Sequence, residues 1–133
     1  MNTSANPPGL AKNILLVDDD DDIRALLGFQ LKRAGYNITL VSNGCSALKA
    51  LQNKCFDLLI TDALMPEMSG YELAQAVRAT PQGMQLPIMM LTALETEREV
   101  SILSHSGVDH FENKPYAIGP LLVSVARLLA GKS

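Results

Sequence analysis

Short apolar segments alternate along the chain with longer stretches in which apolar residues recur three and four positions apart. The apolar segments cover residues 13–17, 38–41, 58–61, 88–91 and 109–112, and their lengths favour β-strands. The first intervening stretch places Ile23, Leu26, Leu27 and Leu31 on one helical face before Gly35, where the helix is expected to end. Because the pattern repeats, we expect five strands and five helices, with the fourth helix over residues 95–106.

The alternation of strands and helices is typical of a mostly parallel sheet covered by helices on both faces. It predicts a doubly wound, flavodoxin-like α/β fold whose five-stranded sheet has the order 2-1-3-4-5. No change in composition divides residues 12–131, which we therefore interpret as one domain. Residues 1–11 include two prolines and little to bury, and we expect them to form a flexible leader.

Acidic and other polar residues follow the predicted strands at the points where the strands end. Asp18 and Asp19 follow the first strand, Asp62 the third, Thr92 the fourth and Lys114 the fifth. In the expected order the first and third strands are neighbours, so the three carboxylates converge in one crevice. Carboxylates this close repel one another unless a cation neutralises them, and Mg²⁺ prefers such oxygen ligands. The sequence therefore predicts a magnesium site.

The same edge carries the groups that phosphoryl transfer requires. A metal-bound carboxylate facing the amine of Lys114 and the hydroxyl of Thr92 would surround the transferred group with positive charge and hydrogen-bond donors. Asp62 is the best candidate for the nucleophile, because it is the isolated acid on the central strand, whereas Asp18 and Asp19 form a metal-holding pair. Taken singly, these features have simpler interpretations, namely an acidic helix cap over residues 18–22, a capping threonine and a solvated loop lysine.

Composition and charge argue against several partners. The formal net charge of -3 and the lack of a Lys/Arg cluster disfavour direct binding to DNA. No apolar stretch reaches the roughly 18 residues that a membrane span needs, and no signal peptide is evident, so we expect a cytoplasmic protein with no membrane partner. Cys45 and Cys55 lack metal-ligand and redox spacing, and we expect them to be reduced and passive, in a helix or the core. We expect His105 and His110 at the surface, away from the acidic edge.

Several short motifs carry a resemblance to a known family. They are the segment Ile14-Leu15-Leu16-Val17 with Asp18-Asp19, the segment Leu59-Ile60-Thr61-Asp62 with Met65-Pro66 and Gly70, the tripeptide Leu91-Thr92-Ala93, and the dipeptide Lys114-Pro115. With these motifs in matching order and spacing, the chain resembles the receiver domain of bacterial two-component response regulators over residues 12–131. The resemblance implies a signalling domain that assists only its own phosphorylation and slow dephosphorylation, and not an enzyme with an external substrate.

The resemblance also implies a role for each residue at the acidic edge. Asp62 would be the phosphoacceptor, and Mg²⁺ would be held by Asp62, Asp19 and the backbone carbonyl of Leu64, with Asp18 acting through water. The phosphoryl oxygens would contact Lys114, Thr92 and the backbone N–H of Ala93. Leu64 and Leu94 would flank the path of the hydrolytic water, where receivers that lose their phosphoryl group quickly tend to carry polar residues, so slow autodephosphorylation is expected.

The resemblance further implies a switch. Thr92 would move toward the phosphoryl group and Phe111 would turn inward, changing the face formed by the fourth helix, the fifth strand and the fifth helix. A fixed core position is the simpler alternative for Phe111. A histidine kinase or phosphotransfer protein would donate the phosphoryl group, and a downstream protein or a further output domain would respond to it. Phosphorylation-dependent dimerisation is an additional expectation.

Two segments depart from the family pattern. Glu112 and Asn113 stand where the family usually has apolar or small residues, so the fifth strand is expected to be loosely held. Gly119 and Pro120 interrupt the usual start of the fifth helix, and we expect that helix to begin there because proline suits a first turn. The partner surface is therefore less well defined by the sequence than the acidic edge.

Other functions use related chemistry or the same fold. A phosphatase of the haloacid dehalogenase type would need an acid two residues after the nucleophile, where this chain has Leu64, and a cap domain. A flavodoxin-like cofactor carrier would need a Ser/Thr/Gly-rich phosphate loop in place of the acidic residues 18–22. Within the receiver family, the alternatives are an interaction-only receiver, or a fragment of a larger regulator or hybrid kinase. A freely diffusing or phosphorelay module is slightly favoured over a fragment.

Overall fold

A computed structural model describes residues 11–93 and 107–131. The described strands are β1 (Asn13–Val17), β2 (Asn37–Val41), β3 (Leu58–Asp62), β4 (Ile88–Thr92) and β5 (His110–Asn113), and the described helices are α1 (Asp21–Arg33), α2 (Gly44–Asn53), α3 (Gly70–Arg78) and α4 (Ile118–Leu129). The fourth predicted helix, Leu94, His105 and residues 1–10 of the predicted leader lie outside the described residues, so α4 corresponds to the fifth predicted helix. None of the four described helices is long and apolar enough to cross a membrane.

All five strands are parallel and form one sheet in the order β2-β1-β3-β4-β5, which confirms the predicted strand order. β1 lies between β2 and β3, with Val17 opposite both Val41 and Thr61. β3 continues one residue further to Asp62, which lies opposite Leu91 of β4. The reversal of strand order at β1 places the ends of β1 and β3 side by side, where folds of this class form their crevice.

Two apolar layers cover the sheet, one on each face. Ile14 and Leu16 of β1 pack with α1 and α4, whereas Leu15 and Val17 pack with α2 and α3, because successive strand residues point to opposite faces. Every residue of β3 and β4 is buried, which explains why these strands are continuous apolar segments in the sequence. Burial of each such Leu or Ile side chain contributes about 1.5–3 kcal/mol, so the strands form a rigid frame for the residues at their ends.

The start of α1 divides the acidic residues 18–22 into two groups. Asp20 is the N-cap of α1, and its Oδ1 accepts hydrogen bonds from the backbone N–H groups of Asp22 at 2.9 Å and Ile23 at 3.0 Å. The last three acids therefore stabilise the helix terminus, as the simpler interpretation proposed. Asp18 and Asp19 precede the cap and remain at the end of β1.

The last strand and the last helix differ slightly from their predicted bounds. β5 covers His110–Asn113 and not residues 109–112, a difference of one residue at each end. Asp109, just before the strand, donates its backbone N–H to the carbonyl of Ile88 at 2.9 Å, and its carboxylate accepts hydrogen bonds from the backbone N–H of Ile88 at 2.8 Å and from Arg78. β5 nevertheless pairs with β4 along all four of its residues. α4 begins at Ile118, with Pro120 in its first turn, within one residue of the predicted start.

The two cysteines are both exposed and free. Cys45 lies in α2, which confirms the expectation of a helical position for this residue. Cys55 lies between α2 and β3. The alternative interpretation of a core position is therefore wrong for both. Cys55 follows the helix end in a short connection, and connecting segments run over the surface because their backbone polar groups need solvent.

Candidate functional site

The carboxyl ends of β1 and β3 bring three carboxylates together. Asp18 and Asp19 follow β1, and Asp62 is the last residue of β3. One carboxylate oxygen from each residue lies within 4.8 Å of the other two. Asp18 and Asp62 are buried while Asp19 is exposed, so Asp19 carries the solvent-facing carboxylate of the cluster. The structure thus brings together the three acids that the sequence predicted at one edge of the sheet.

Asp18 is the most deeply buried of the three acids, with 1% of its surface exposed. Its Oδ1 accepts a hydrogen bond from the backbone N–H of Asp20 at 2.9 Å, whereas its Oδ2 has no hydrogen-bond partner in the part of the chain that the structure describes. Burial raises the pKa of Asp18 above its ordinary value, and the negative charges of Asp62 and Asp19 raise it further. Because buried polar atoms are almost always paired, the orphaned oxygen indicates a place for a cation.

Asp62 is held by an ion pair with Lys114. The Lys114 Nζ donates to Asp62 Oδ1 at 2.7 Å, and the backbone N–H of Ala63 donates to the same oxygen at 3.0 Å. Burial alone would lower the pKa of Lys114, but the hydrogen bond and the charge of Asp62, with the charge of Asp18, outweigh it, so the pKa lies above its ordinary value. The lysine is therefore a fixed positive charge directed at one oxygen of Asp62.

The end of β4 lies between Asp62 and Lys114. The backbone N–H of Ala63 donates to the carbonyl of Leu91 at 2.9 Å, and the backbone N–H of Lys114 donates to the carbonyl of Thr92 at 2.9 Å. Thr92 is buried as the last residue of β4, and Ala93 follows it in an exposed position. These bonds place the strand ends carrying Asp62, Thr92 and Lys114 next to one another, as the sequence predicted.

Leu64 lies on the connection between β3 and α3, two residues after Asp62, and 71% of its surface is exposed. An exposed leucine at this place gives the rim of the acidic cluster an apolar side chain with no polar group to bind water. Its predicted partner on the other side of the site, Leu94, lies outside the described residues. Leu64 is therefore the described residue on which the prediction of slow autodephosphorylation depends.

Phe111 and His110 occupy opposite faces of β5. Phe111 is partly buried and packs against Ala63 and Met90. It therefore contacts the residue that directly follows Asp62. His110 is partly buried on the other face, and its Nε2 lies 2.9 Å from a carboxylate oxygen of Glu112. Neither residue belongs to the acidic cluster. His110 is thus away from the acidic edge, as expected, but it is less exposed than a surface position would imply.

The donor set of the cluster suits Mg²⁺. Three carboxylates face a single ammonium group, which leaves an excess of two negative charges when all are ionised. The available ligands are hard oxygens, without nitrogen or sulfur, and Asp18 contributes an oxygen that no described donor satisfies. Hard oxygen ligands and one or two carboxylates are what Mg²⁺ takes in proteins. The residues present therefore fit this ion.

Sequence reasoning missed two residues beside the site. Arg24 of α1 donates from Nη1 to the backbone carbonyl of Asp18 at 2.8 Å. Tyr116 follows Lys114 by two residues, and burial together with the charge of Asp18 raises the pKa of its phenol, while Lys114 opposes this. The spacing of Arg24 from Asp21, three residues along α1, was a signal for a contact at the helix start. Nothing in the sequence pattern distinguished Tyr116.

Comparison with known proteins places the chain among signalling domains. The family model described as "Response regulator receiver domain" matches residues 14–126. The response regulator receiver protein CpdR of Brucella abortus is 37% identical over 127 residues, covering 89% of this chain and 97% of that protein.

Solved structures agree with this assignment. The signal receiver domain of a signal transduction histidine kinase from Syntrophus aciditrophicus superposes with a TM-score of 0.85 at 36% identity, covering 91% of this chain and 92% of that one. The receiver domain of sensor histidine kinase PA1611 from Pseudomonas aeruginosa has a TM-score of 0.83 at 26% identity, covering 90% of this chain and 98% of that one. The latter structure has a magnesium ion coordinated in its active site cleft.

Proposed function

This chain belongs to the response regulator receiver domain family of two-component signalling systems, and on that premise we propose that it accepts a phosphoryl group on Asp62 in a Mg²⁺-dependent reaction. Receiver domains bind Mg²⁺ at an acidic pocket, and here Asp18, Asp19 and Asp62 form a cluster of that kind. The observation that carries the proposal is the ion pair of 2.7 Å between Lys114 and Asp62 at the centre of this cluster. It pairs a buried carboxylate with a fixed positive charge at the place where phosphate charge would develop.

The three acids have different roles in this proposal. Asp19, Asp62 and the backbone carbonyl of Leu64 hold the ion, and Asp18 acts through a bound water, which gives its Oδ2 a partner. When bound, Mg²⁺ neutralises the carboxylates and the charge of the transferred phosphoryl group. Asp62 is the nucleophile because it is the acid that Lys114 contacts.

In the transfer step, covalent bonds change only at Asp62 and at the donor. A carboxylate oxygen of Asp62 forms a new bond to phosphorus, while the bond between phosphorus and the donor histidine nitrogen breaks and that nitrogen keeps the electron pair. Lys114, the hydroxyl of Thr92 and the backbone N–H of Ala93 then contact the phosphoryl oxygens. Because Lys114 already contacts Asp62, its ammonium group lies close to the negatively charged phosphoryl oxygens once the new bond has formed.

We propose that the phosphorylated state is read through a change at Thr92 and Phe111. Thr92 moves toward the phosphoryl group, and Phe111, which packs beside Ala63, turns further inward. The surface that changes includes β5 and α4, together with the predicted fourth helix. Its partner is a downstream protein or an output domain, and phosphorylation-dependent dimerisation is one form that the response takes.

The wider context is also a proposal. The phosphoryl donor is a histidine kinase or a phosphotransfer protein, and the domain covers residues 12–131 after a leader of residues 1–11. It assists its own phosphorylation and slow dephosphorylation, does not turn over an external substrate, does not bind DNA directly and works in the cytoplasm. These statements rest on family membership and on the net charge of -3.

The intact mass of the protein after incubation with acetyl phosphate tests the central step. Wild-type protein with Mg²⁺ is expected to gain one phosphoryl group, and protein stripped of metal with a chelator is expected to gain none. Asp62→Asn is expected to remain unmodified. Asp57→Asn is the matched control, because Asp57 precedes the same strand at its other end and is expected to leave phosphorylation unchanged.

Two results would contradict the proposal. An adduct on Asp62→Asn would place the phosphoryl group elsewhere and remove Asp62 from its role. An unmodified wild type at saturating Mg²⁺, with a fold that beryllofluoride does not perturb, would make this chain an interaction-only receiver.

A further inference from the structure

Arg24 fastens the loop that carries two of the three carboxylates to the first helix. Its Nη1 donates to the backbone carbonyl of Asp18 at 2.8 Å, and its Nη2 donates to Asp21 Oδ1 at 2.6 Å. The Arg24 side chain is 19% exposed, whereas that of Asp21 is 84% exposed. The bond to the carbonyl is therefore the more protected of the two.

The carbonyl of Asp18 shares a rigid peptide unit with the backbone N–H of Asp19. Since the six atoms of a peptide unit lie in one plane, holding this oxygen also fixes the direction in which the chain enters Asp19. Asp18 itself is held by two further hydrogen bonds. Its backbone N–H donates to the carbonyl of Val41 at 3.3 Å, and its Oδ1 accepts from the backbone N–H of Asp20 at 2.9 Å. Arg24 adds the anchor from α1 that acts on the oxygen between the two acids.

Asp19 needs such support from its backbone. It is the exposed member of the cluster, so little packing restrains its side chain, and its carboxylate must be placed by the chain that carries it. Mg²⁺ requires near-ideal octahedral geometry, so a carboxylate that is displaced from its ligand position weakens Mg²⁺ binding. Groups that orient metal ligands commonly matter tenfold or more to metal affinity.

We propose that Arg24 is a positioning residue for Mg²⁺ binding, which holds the Asp18 carbonyl so that the Asp19 carboxylate is directed into the cluster. The inference rests on the proposed function of this site as a metal-dependent phosphoacceptor. Arg24 donates all its described hydrogen bonds to Asp18 and Asp21, and among the described residues it forms no hydrogen bond or ion pair with Asp62 or with the Asp18 carboxylate.

The sign of the effect separates positioning from simple charge. Arg24 carries a positive charge near a site for a cation, so a purely electrostatic role would make removal of that charge tighten Mg²⁺ binding. Positioning predicts the opposite, because loss of the guanidinium frees the peptide unit before Asp19. The ion pair with Asp21 gives a third possibility, in which Arg24 acts only by stabilising the first turn of α1.

Calorimetric titration of Mg²⁺ into the full chain distinguishes these cases. Arg24→Gln is expected to raise the dissociation constant about tenfold. Arg24→Lys, which keeps the charge and one donor, is expected to fall between Arg24→Gln and the wild type. Asp21→Asn, the matched control for the ion pair, is expected to stay within about twofold of wild type. Circular dichroism of the metal-free variants checks that each is folded.

The rate of phosphorylation by acetyl phosphate gives a second readout. In Arg24→Gln the Mg²⁺ concentration at half-maximal rate is expected to rise with the dissociation constant, while the rate at saturating Mg²⁺ stays near wild type. Equal or tighter Mg²⁺ binding by folded Arg24→Gln would overturn the inference, and so would an Asp21→Asn variant that binds as weakly. If Arg24→Gln does not fold, Arg24→Lys decides in its place, and wild-type affinity in Arg24→Lys then overturns it.

Failure of the proposed function would look different. A wild-type protein that binds Mg²⁺ but gains no phosphoryl group would contradict the function of Asp62, while the calorimetric comparison of Arg24 variants would still decide the role of Arg24.

Discussion

Replacing Gly70 with alanine is expected to damage the site at Asp62 although Gly70 contacts no ligand. Gly70 is the first residue of α3, and its backbone N–H donates to the carbonyl of Ala63 at 2.8 Å. An added Cβ would overlap the carbonyl oxygen of Asp62 and would lie only 3.0 Å from Cα of Ala63. Every obstacle is backbone, so no side-chain rotation can make room. The absence of a Cβ at Gly70 therefore lets α3 begin directly against Asp62, the proposed phosphoacceptor.

The size of the effect follows from the displacement required. A carbon and a carbonyl oxygen ordinarily approach to about 3.3–3.6 Å, so α3 or the end of β3 would have to move by about 1 Å. Such overpacking typically costs about 1–3 kcal/mol, offset in part by about 0.5–1 kcal/mol because alanine suits a helix better than glycine. A misplacement of 1 Å in a reacting group can cost about 100-fold in rate, and we expect Gly70→Ala to lose between about tenfold and 100-fold.

The assay compares Gly70→Ala with Gly119→Ala, since the two changes add the same methyl group to the first turn of a helix. A Cβ at Gly119 would meet no described residue within 4 Å, so Gly119→Ala is expected to be neutral or to stabilise the protein by about 0.5–1 kcal/mol. The rate of phosphorylation by acetyl phosphate at saturating Mg²⁺ and the free energy of unfolding in urea are measured for both. Gly119→Ala is expected to be phosphorylated like the wild type.

A Gly70→Ala protein that is phosphorylated within about twofold of the wild-type rate would refute this reasoning, because the backbone would then have absorbed the methyl group without moving Asp62. An equal loss of rate in Gly119→Ala would refute it as well, since a methyl group there would displace none of the residues that the structure describes.

Three further predictions concern other residues. Arg78→Ala is expected to lower the free energy of unfolding by about 3 kcal/mol, because its guanidinium donates to the carbonyls of three residues and to the Asp109 carboxylate. Arg33→Ala, whose described contact is with the ring of Phe29, should cost less than about 1 kcal/mol in the same urea titration. Hydrogen bonds at the start of α3 lower the pKa of Glu72 from 4.5, so the ionised carboxylate stabilises the fold above pH 4.5, and this stabilisation is lost as pH falls through the folded pKa. When the pH is lowered, the urea concentration at the midpoint of unfolding should therefore decrease less for Glu72→Gln than for the wild type. An unchanged pH dependence in Glu72→Gln would contradict this. Phosphorylated wild-type protein is expected to lose its phosphoryl group slowly and Leu64→Asn to lose it faster when intact mass is followed over time, and a wild-type half-life of seconds would contradict the prediction.

The sheet and its order could be predicted because strands that are buried on both faces are visible in the sequence as continuous apolar segments. Each residue of β3 and β4 is enclosed, so these strands are continuous apolar segments with polar residues at their ends. Parallel strands then bring their ends to one edge without any knowledge of side-chain contacts. Asp18, Asp62 and Thr92 could be assigned to one site by this reasoning alone.

The acidic residues 18–22 show where such reasoning becomes ambiguous. An N-cap and a metal site call for the same residue types, and only the start of α1 at Asp21 divides the run between them. Asp20 caps the helix, while Asp18 is buried with an oxygen that accepts no hydrogen bond from a described residue. The sequence supported both interpretations: the structure confirms the cap at Asp20, and it places Asp18 and Asp19 in the carboxylate cluster for which a metal is proposed.

Contacts between distant residues could not be predicted. Arg78 donates a hydrogen bond to the carboxylate of Asp109, 31 residues away, and that carboxylate also accepts a hydrogen bond from the backbone N–H of Ile88. Arg24 likewise donates a hydrogen bond to a backbone carbonyl, and because every residue has such a carbonyl, the sequence does not indicate which one is bound. Such bonds have no period along the chain, because they depend on where elements meet after the core has formed.

Locating the phosphoryl group on the chain is the most direct test of the central claim. Wild-type protein is phosphorylated with acetyl phosphate and Mg²⁺, reduced with borohydride, which converts an aspartyl phosphate to homoserine, and digested for peptide mass spectrometry. The account predicts homoserine at position 62 only, and none when Mg²⁺ is withheld. Homoserine at position 18 or 19, or a phosphoryl group on any other side chain, would contradict the assignment of Asp62 as the phosphoacceptor.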